Sequence, residues 1–305
     1  MMPSPLGPDN RVAGVVLAAL YLRGIFRQHD PPAKSWPLVV EALRKDNSSI
    51  ENVSDCLRKE RFSQEAAILQ SHGLLSRAEE LVCSERVLTA CDPKYPQRWI
   101  RALGSSSPPA FWRCGEIPAG PFLTVVGSRR IGSAIRVFAR DCARVGAELG
   151  FSIASGGAAG CDSEAAKGAL SAQKDAPLLL EVLPCGLKRR RTSTNSCALS
   201  LCEPWTEFSV AAAMERNQLL YAISDFAIIA QARFKEGGTW KGAIEANRRK
   251  LCRLIVRNNP RDKACRALLA LGATPLANPE DLDKAMASPT PQPVLEEFQF
   301  AYPAA

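Results

Sequence analysis

Two short apolar runs, each followed by a glycine-rich loop, constrain the fold of this chain more than any other feature. The first run, 122–126, leads into the loop 127–130, and the second, 151–155, leads into the loop 156–160. The segment between them has the 3.6-residue periodicity of an amphipathic helix, and Gly150 follows it, where a residue with positive φ commonly ends a helix. The apolar residues that recur at three- and four-residue spacing are Ile135, Phe138, Cys142, Val145 and Leu149. This order of elements predicts a βαβ unit of a parallel sheet.

Both loops should open at the carboxyl edge of that sheet, where such folds bind ligands. The spacing is not the dinucleotide fingerprint, because four residues separate Gly127 from Gly132 and no acidic residue ends the second run. Backbone N–H groups at a helix N-terminus bind anions, and Arg129 and Arg130 add positive charge. We therefore expect the loops to bind phosphate. The alternative is that they are tight turns with only a structural role.

The charge of the chain points in the same direction. The formal net charge is +8, and the stretch 233–261 holds nine lysines and arginines against two glutamates. A second basic cluster is formed by Lys188, Arg189, Arg190 and Arg191. Localised positive charge beside glycine loops suggests a polyanionic partner, with nucleic acid as the first candidate. A solvated basic face explains either cluster taken alone.

The cysteines and histidines give no sign of a metal site. The eleven cysteines are dispersed without a CxxC pair, and only two histidines accompany them, so we predict neither a metal nor a cofactor. Dispersed thiols fit the reducing cytoplasm. The apolar run 12–22 is too short to span a bilayer, and we expect no membrane partner.

Composition and periodicity together predict an α/β chain: a doubly wound, mostly parallel Rossmann-like sheet preceded by a small helical domain. We place the helical domain at 1–87 and the Rossmann-like domain at 119–287. The connector 88–118 is expected to be extended, because prolines interrupt it. The proline-rich end, 288–305, is expected to be a flexible tail.

Several short motifs occur in the order in which they occur in the DNA-processing protein A family (DprA, also called Smf), a Rossmann-like family that binds single-stranded DNA. The segment 92–96 (Asp-Pro-Lys-Tyr-Pro) resembles the segment that leads into the core domain of the family. The loop 127–129 (Gly-Ser-Arg) resembles the first loop of that domain. The segment 155–162 resembles its SGLARGID element, the pair 216–217 (Arg-Asn) its RNR element, and 237–239 (Gly-Gly-Thr) its later glycine turn. The resemblance covers about residues 88 to 282.

The resemblance implies a DNA-processing protein that is not an enzyme and acts in DNA uptake, natural transformation and recombination. Its implied partners are single-stranded DNA, a RecA-type recombinase that it helps to load, and a second copy of the chain in a homodimer. With the glycine loops, it predicts a DNA- and phosphate-binding site made of Gly127, Ser128, Arg129, Arg130, Ser155, Gly156, Gly157, Gly160, Arg216, Asn217, Gly237, Gly238, Thr239 and Lys241. Lys188 to Arg191 would add basic contacts, and Asp162 is predicted to cap a helix.

The chain also departs from the family pattern. Ala159 stands where the family usually has arginine, and Gln218 replaces the second arginine of RNR. We also expect this chain to be a member without the C-terminal winged helix. Two alternatives stay open on the same fold. One is a LOG-type nucleotide phosphoribohydrolase, for which Glu245, after the third glycine loop 236–242, would be the acid. The other is a sensor that binds a nucleotide in the same pocket.

Overall fold

The computed structural model describes residues 11–25, 36–45, 49–172, 179–188 and 194–291. The chain divides into two compact units, one formed by Met1–Arg113 with Ser200–Thr206 and the other by Cys114–Leu199 with Glu207–Ala305. No helix within the described ranges is long and apolar enough to cross a membrane.

The first unit consists of helices and one antiparallel strand pair. Its elements are α1 (Arg11–Leu22), α2 (Trp36–Lys45), α3 (Val53–Lys59), α4 (Ser63–Leu69), α5 (Leu74–Cys83), β1 (Val87–Thr89), α6 (Gln97–Leu103) and β2 (Ala110–Cys114). Helix α6 lies inside the connector that we expected to be extended. Pro96 is its N-cap, a position where the missing N–H of proline costs no helical hydrogen bond. The ring of Trp99 then packs edge-on against Phe111, with 5.3 Å between the ring centroids.

The second unit contains a sheet and the helices around it. Its elements are β3 (Phe122–Gly127), α7 (Ser133–Glu148), β4 (Ser152–Ser155), α8 (Cys161–Ser171), β5 (Leu179–Leu183), β6 (Ser196–Ser200), α9 (Val210–Ile223), β7 (Phe226–Gln231), α10 (Gly237–Arg248), β8 (Arg253–Arg257), α11 (Lys263–Ala270), β9 (Thr274–Leu276) and α12 (Leu282–Ala287).

The strands of this unit lie in the order β6-β5-β4-β3-β7-β8-β9. The pairs from β5 across to β9 are all parallel. This arrangement confirms the predicted mostly parallel, Rossmann-like α/β fold. It also contains two elements that the sequence analysis did not identify, β9 and α12.

Helix α7 packs on the sheet largely as its periodicity predicts. Ile135, Phe138, Cys142 and Val145 are buried in the core beside Leu123 of β3 and Ile153 of β4. Gly150 follows the helix with φ of +98°, which confirms its role as the residue that ends the helix. The exception is Leu149, which we placed on the apolar face. It is the C-cap of α7 and is 44% exposed, because the chain already turns toward β4 there.

A buried carboxylate joins α7 to α8. The side chain of Glu164 on α8 is only 2% exposed. It accepts hydrogen bonds from Nε (3.0 Å) and Nη2 of Arg140 on α7 and from Nζ of Lys167 (2.9 Å), and Nη1 of Arg136 lies 3.5 Å away. These hydrogen bonds, from Lys167 and then Arg140, lower the pKa of Glu164 below its usual value of 4.5.

The lowered pKa predicts a pH-dependent contribution of Glu164 to stability. Since protonation is harder in the folded state, the carboxylate stabilises the fold above pH 4.5, and this contribution is lost as the pH falls through the folded-state pKa. The Glu164→Gln variant should therefore melt at a lower temperature than the wild type near neutral pH. The difference should shrink in acid, as followed by thermal unfolding across a pH series.

Glu148→Gln is the matched control for this experiment. Glu148 pairs with Arg144 on α7, and the two side chains are 49% and 32% exposed, so solvent screens the pair and it should contribute little at any pH. A melting difference for Glu164→Gln that is the same in acid as at neutral pH would show that the charge of Glu164 is not the cause.

Candidate functional site

A cavity of about 730 Å³ lies at the carboxyl ends of β3 and β7. Its walls come from the loop after β3, the loop after β7, the start of α10 and one face of α9. The strand order runs outward from β3 toward β5 on one side and from β7 toward β9 on the other. The cavity is therefore at the topological switch point of the sheet, where open α/β folds bind ligands, and its volume is in the usual range for ligand pockets.

The structure brings most of the predicted site residues to this cavity. Those that line it are Gly127, Ser128, Arg129, Arg130, Arg216, Asn217, Gly237, Gly238, Thr239 and Lys241. Oγ1 of Thr239 donates a hydrogen bond to the carbonyl oxygen of Gly127, at 3.1 Å, and so ties the start of α10 to the end of β3. The first and third glycine loops thus meet at one place.

The second glycine loop is placed differently, and the phosphate contacts predicted for it stay a prediction. Ser155, Gly156 and Gly160 are buried, Gly157 is exposed, and none of the four lines the cavity. A Cβ on Gly160 would lie 2.4 Å from the carbonyl oxygen of Ser128. This glycine therefore allows the second loop to pack against the first, where a side chain would collide.

Gly156 makes room for a buried arginine. A Cβ on Gly156 would lie 1.1 Å from Nη1 of Arg216, so any other residue would displace the guanidinium. Arg216 is 5% exposed, and its Nη1 donates to Oδ2 of Asp162 at 3.2 Å. Burial raises the pKa of Asp162, although the nearby charge of Arg216 acts in the opposite direction. Burial lowers the pKa of Arg216.

This ion pair replaces the predicted role of Asp162. The prediction that Asp162 caps a helix is wrong, because α8 begins at Cys161 with Gly160 as its N-cap. The Asp162 carboxylate instead accepts the backbone N–H of Ala158, at 3.4 Å, and the guanidinium of Arg216. Arg216, which we predicted to contact phosphate, lines the cavity and is held there by the buried carboxylate.

The sequence analysis missed several residues of the cavity. Phe208, which precedes α9, is 49% exposed, and the guanidinium of Arg129 lies 5.0 Å from its ring centroid. Val210 and Met214 continue this exposed apolar surface along α9. Gln231 also lines the cavity. Because Gln231 lies at the carboxyl end of a buried strand, the sequence could have indicated it as a site residue. Nothing in the local sequence indicated that Phe208 belongs to the site.

The exposed charges around the cavity are mostly positive. Arg129, Arg130 and Lys241 line it and are exposed. Arg233 also lines it, but its guanidinium pairs with Glu236 at 3.3 Å. Since the charges of Asp162 and Arg216 offset each other, the three exposed cations dominate. The rim therefore attracts anions.

The basic run 188–191 is only partly described. Lys188 is exposed and does not line the cavity. Arg189, Arg190 and Arg191 lie outside the described residues, so their predicted contacts stay a prediction.

Together, the fold and the cavity define a Rossmann-like α/β protein with an anion-attracting cavity at its switch point. The family model of DNA recombination-mediator protein A matches residues 86–287, which is more than half of the chain. The chain belongs to this family, and the predicted resemblance is confirmed.

Solved structures of two family members have the same fold. The DNA processing protein A of Streptococcus pneumoniae aligns with a TM-score of 0.60 and 16% identity, over 93% of this chain and 98% of that one. The Helicobacter pylori protein, reported for its unique single-stranded DNA binding mode, aligns with a TM-score of 0.55 and 23% identity, over 66% of this chain and 95% of that one. The comparison with curated proteins found no match.

The buried pair predicts that two arginines of the cavity differ in their effect on stability. Arg216→Ala leaves the Asp162 carboxylate buried without its partner, which should lower the free energy of unfolding by about 3–5 kcal/mol. Arg129→Ala removes an exposed side chain that contacts Phe208 and should cost less than about 1 kcal/mol. Chemical denaturation of the two variants and the wild type measures both changes.

The double variant Asp162→Ala/Arg216→Ala serves as the control. It removes both charges together, so it should recover part of the stability that Arg216→Ala loses. If Arg216→Ala and Arg129→Ala unfold alike, the pair does not hold the cavity wall.

Proposed function

We propose that this protein binds single-stranded DNA in the cavity at its switch point and does not act as an enzyme. The observation that carries the proposal is the meeting of exposed Arg129, Arg130 and Lys241 with the first and third glycine loops around one cavity. Guanidinium and ammonium groups and loop N–H groups are the usual partners of phosphate in nucleic-acid complexes.

The apolar surface beside the cations supports a single strand over a duplex. Phe208, Val210 and Met214 are exposed beside the cavity. Proteins that bind single strands combine a positive groove with aromatic side chains on which unpaired bases stack, and Phe208 is such a side chain. Membership of the DNA recombination-mediator family supports the same proposal, as does the Helicobacter pylori relative, whose structure was reported for single-stranded DNA binding.

The wider role that we propose follows from the family. The protein would act in the cytoplasm on DNA taken up in natural transformation or handled in recombination, as a homodimer that helps to load a RecA-type recombinase. These finer statements rest on the resemblance of the motifs and on family membership.

The binding proposal predicts both strand preference and salt dependence. Single-stranded oligonucleotides should bind more tightly than duplexes of the same sequence, and the affinity should fall steeply with salt as counterions are released. Arg129→Ala should weaken binding to all sequences alike and reduce the salt slope for a single strand by about 0.7. Fluorescence anisotropy across a salt series measures both quantities.

Lys284→Ala is the control, since Lys284 is exposed, pairs with Asp281 and does not line the cavity. It should bind as the wild type does. Equal affinity for duplex and single strand, or a flat salt response, would refute the proposal.

The hydrolase alternative loses support from the position of Glu245. This residue does not line the cavity, and both of its carboxylate oxygens accept hydrogen bonds from Arg248. Those bonds lower its pKa, whereas a general acid needs a raised one.

We therefore expect the purified protein to release no free base from nucleoside monophosphates above the buffer background, as measured by chromatography. The Glu245→Gln variant should give the same trace as the wild type. Base release that disappears in this variant would instead establish the enzyme.

A further inference from the structure

A second group of exposed cations lies on α7 and α8, outside the cavity. We call Arg136, Arg140 and Lys167 the α7–α8 basic patch. Their side chains are 48%, 45% and 60% exposed, and none of them lines the cavity. The function proposed above makes no use of them.

One buried carboxylate holds all three cations in place. Glu164 lies beneath them and accepts hydrogen bonds from Arg140 and Lys167, while Arg136 is within ion-pair distance. Three positive charges on one negative charge leave a net positive patch. Arg140 donates from Nε and Nη2 to Glu164, and its side chain is still 45% exposed. Cations that are already held in position lose less conformational entropy when a ligand binds.

The patch ends abruptly along α7. Arg144 lies one turn beyond Arg140, but its guanidinium pairs with both Glu148 and Glu280. Its charge is therefore neutralised, and the net positive surface is confined to the N-terminal half of the helix. Arg136 and Arg140 are one turn apart, about 6 Å along the helix axis.

The patch also lies close to the rim of the cavity. The N–H of Glu164 bonds the carbonyl oxygen of Gly160, and the N–H of Cys161 bonds that of Ser128, so one helical turn separates Glu164 from the loop that carries Arg129. The same loop leads directly into α7, where the first turn has no acidic residue. The partial positive charge of the helix N-terminus is thus not cancelled there.

We propose that the α7–α8 basic patch binds the sugar–phosphate backbone of single-stranded DNA where the strand leaves the cavity. The inference rests on the proposed function, because it extends the path of the same strand. An acidic protein surface is the competing partner. The continuity of the patch with the cavity rim favours the strand, since phosphates recur along a nucleic acid and receive most of its contacts with protein.

The test compares oligothymidylates of about 4 and about 12 nucleotides, within the range of known single-strand sites. The variant is Arg136→Ala/Lys167→Ala, which keeps the contact between Arg140 and Glu164. It should bind the short oligonucleotide as the wild type does. For the long one, the affinity should fall roughly tenfold and the salt slope by about 1.4, since each phosphate contact to a single strand contributes about 0.7.

Arg144→Ala is the matched control, because it removes a partly exposed arginine of α7 whose charge is already neutralised. It should bind both lengths like the wild type. Unchanged binding of the long oligonucleotide by the double variant would overturn the inference and leave an acidic protein as the candidate partner. An equal loss for both lengths would overturn it too, since the substitutions would then act on the cavity. A wild type that binds neither length would instead refute the proposed function itself.

Discussion

The geometry of the cavity depends on one buried interaction, the ion pair between Arg216 and Asp162. It connects α9, which forms a wall of the cavity, to α8 and the loop before it. Gly156 is the residue that leaves space for the guanidinium. The free-energy cost of removing two charges from water cancels most of the energy gained from their attraction, so such a pair adds little net stability. Its main effect is to fix where α9 lies relative to the glycine loops.

Because the buried charges offset each other, the attraction for anions comes from side chains that solvent can reach. Arg129, Arg130 and Lys241 are exposed at the rim. Exposed cations stay hydrated in the unbound protein, so they carry little desolvation cost there. Their flexible side chains can adjust to a strand of variable shape. The rigid and the adaptable parts of the site are thus separate. The buried pair shapes the cavity, and the exposed cations attract the ligand.

Local patterns were enough to predict the fold class and the edge of the sheet that carries the site. Apolar runs such as 122–126 report burial directly, and parallel strands must bring their carboxyl ends together. The elements that the sequence analysis did not predict are short or have no periodic pattern of their own. Strand β9 has three residues, one of which is Pro275, and α6 starts directly after a proline. Such elements form because their neighbours provide the pairing and packing.

The second glycine loop shows a deeper limit of reading a sequence. A glycine reveals that a side chain is excluded, but not whether a ligand or another part of the protein takes the space. At Gly156 the space belongs to Arg216, and at Gly160 to the backbone of the first loop. Asp162 is ambiguous in the same way, since a carboxylate near a helix start can cap it or pair with a distant cation. Its partner is 54 residues further along the chain. Only the packing of α9 against that loop decides between these roles, so a motif can mark the right place in the fold while its residues serve to hold the site together.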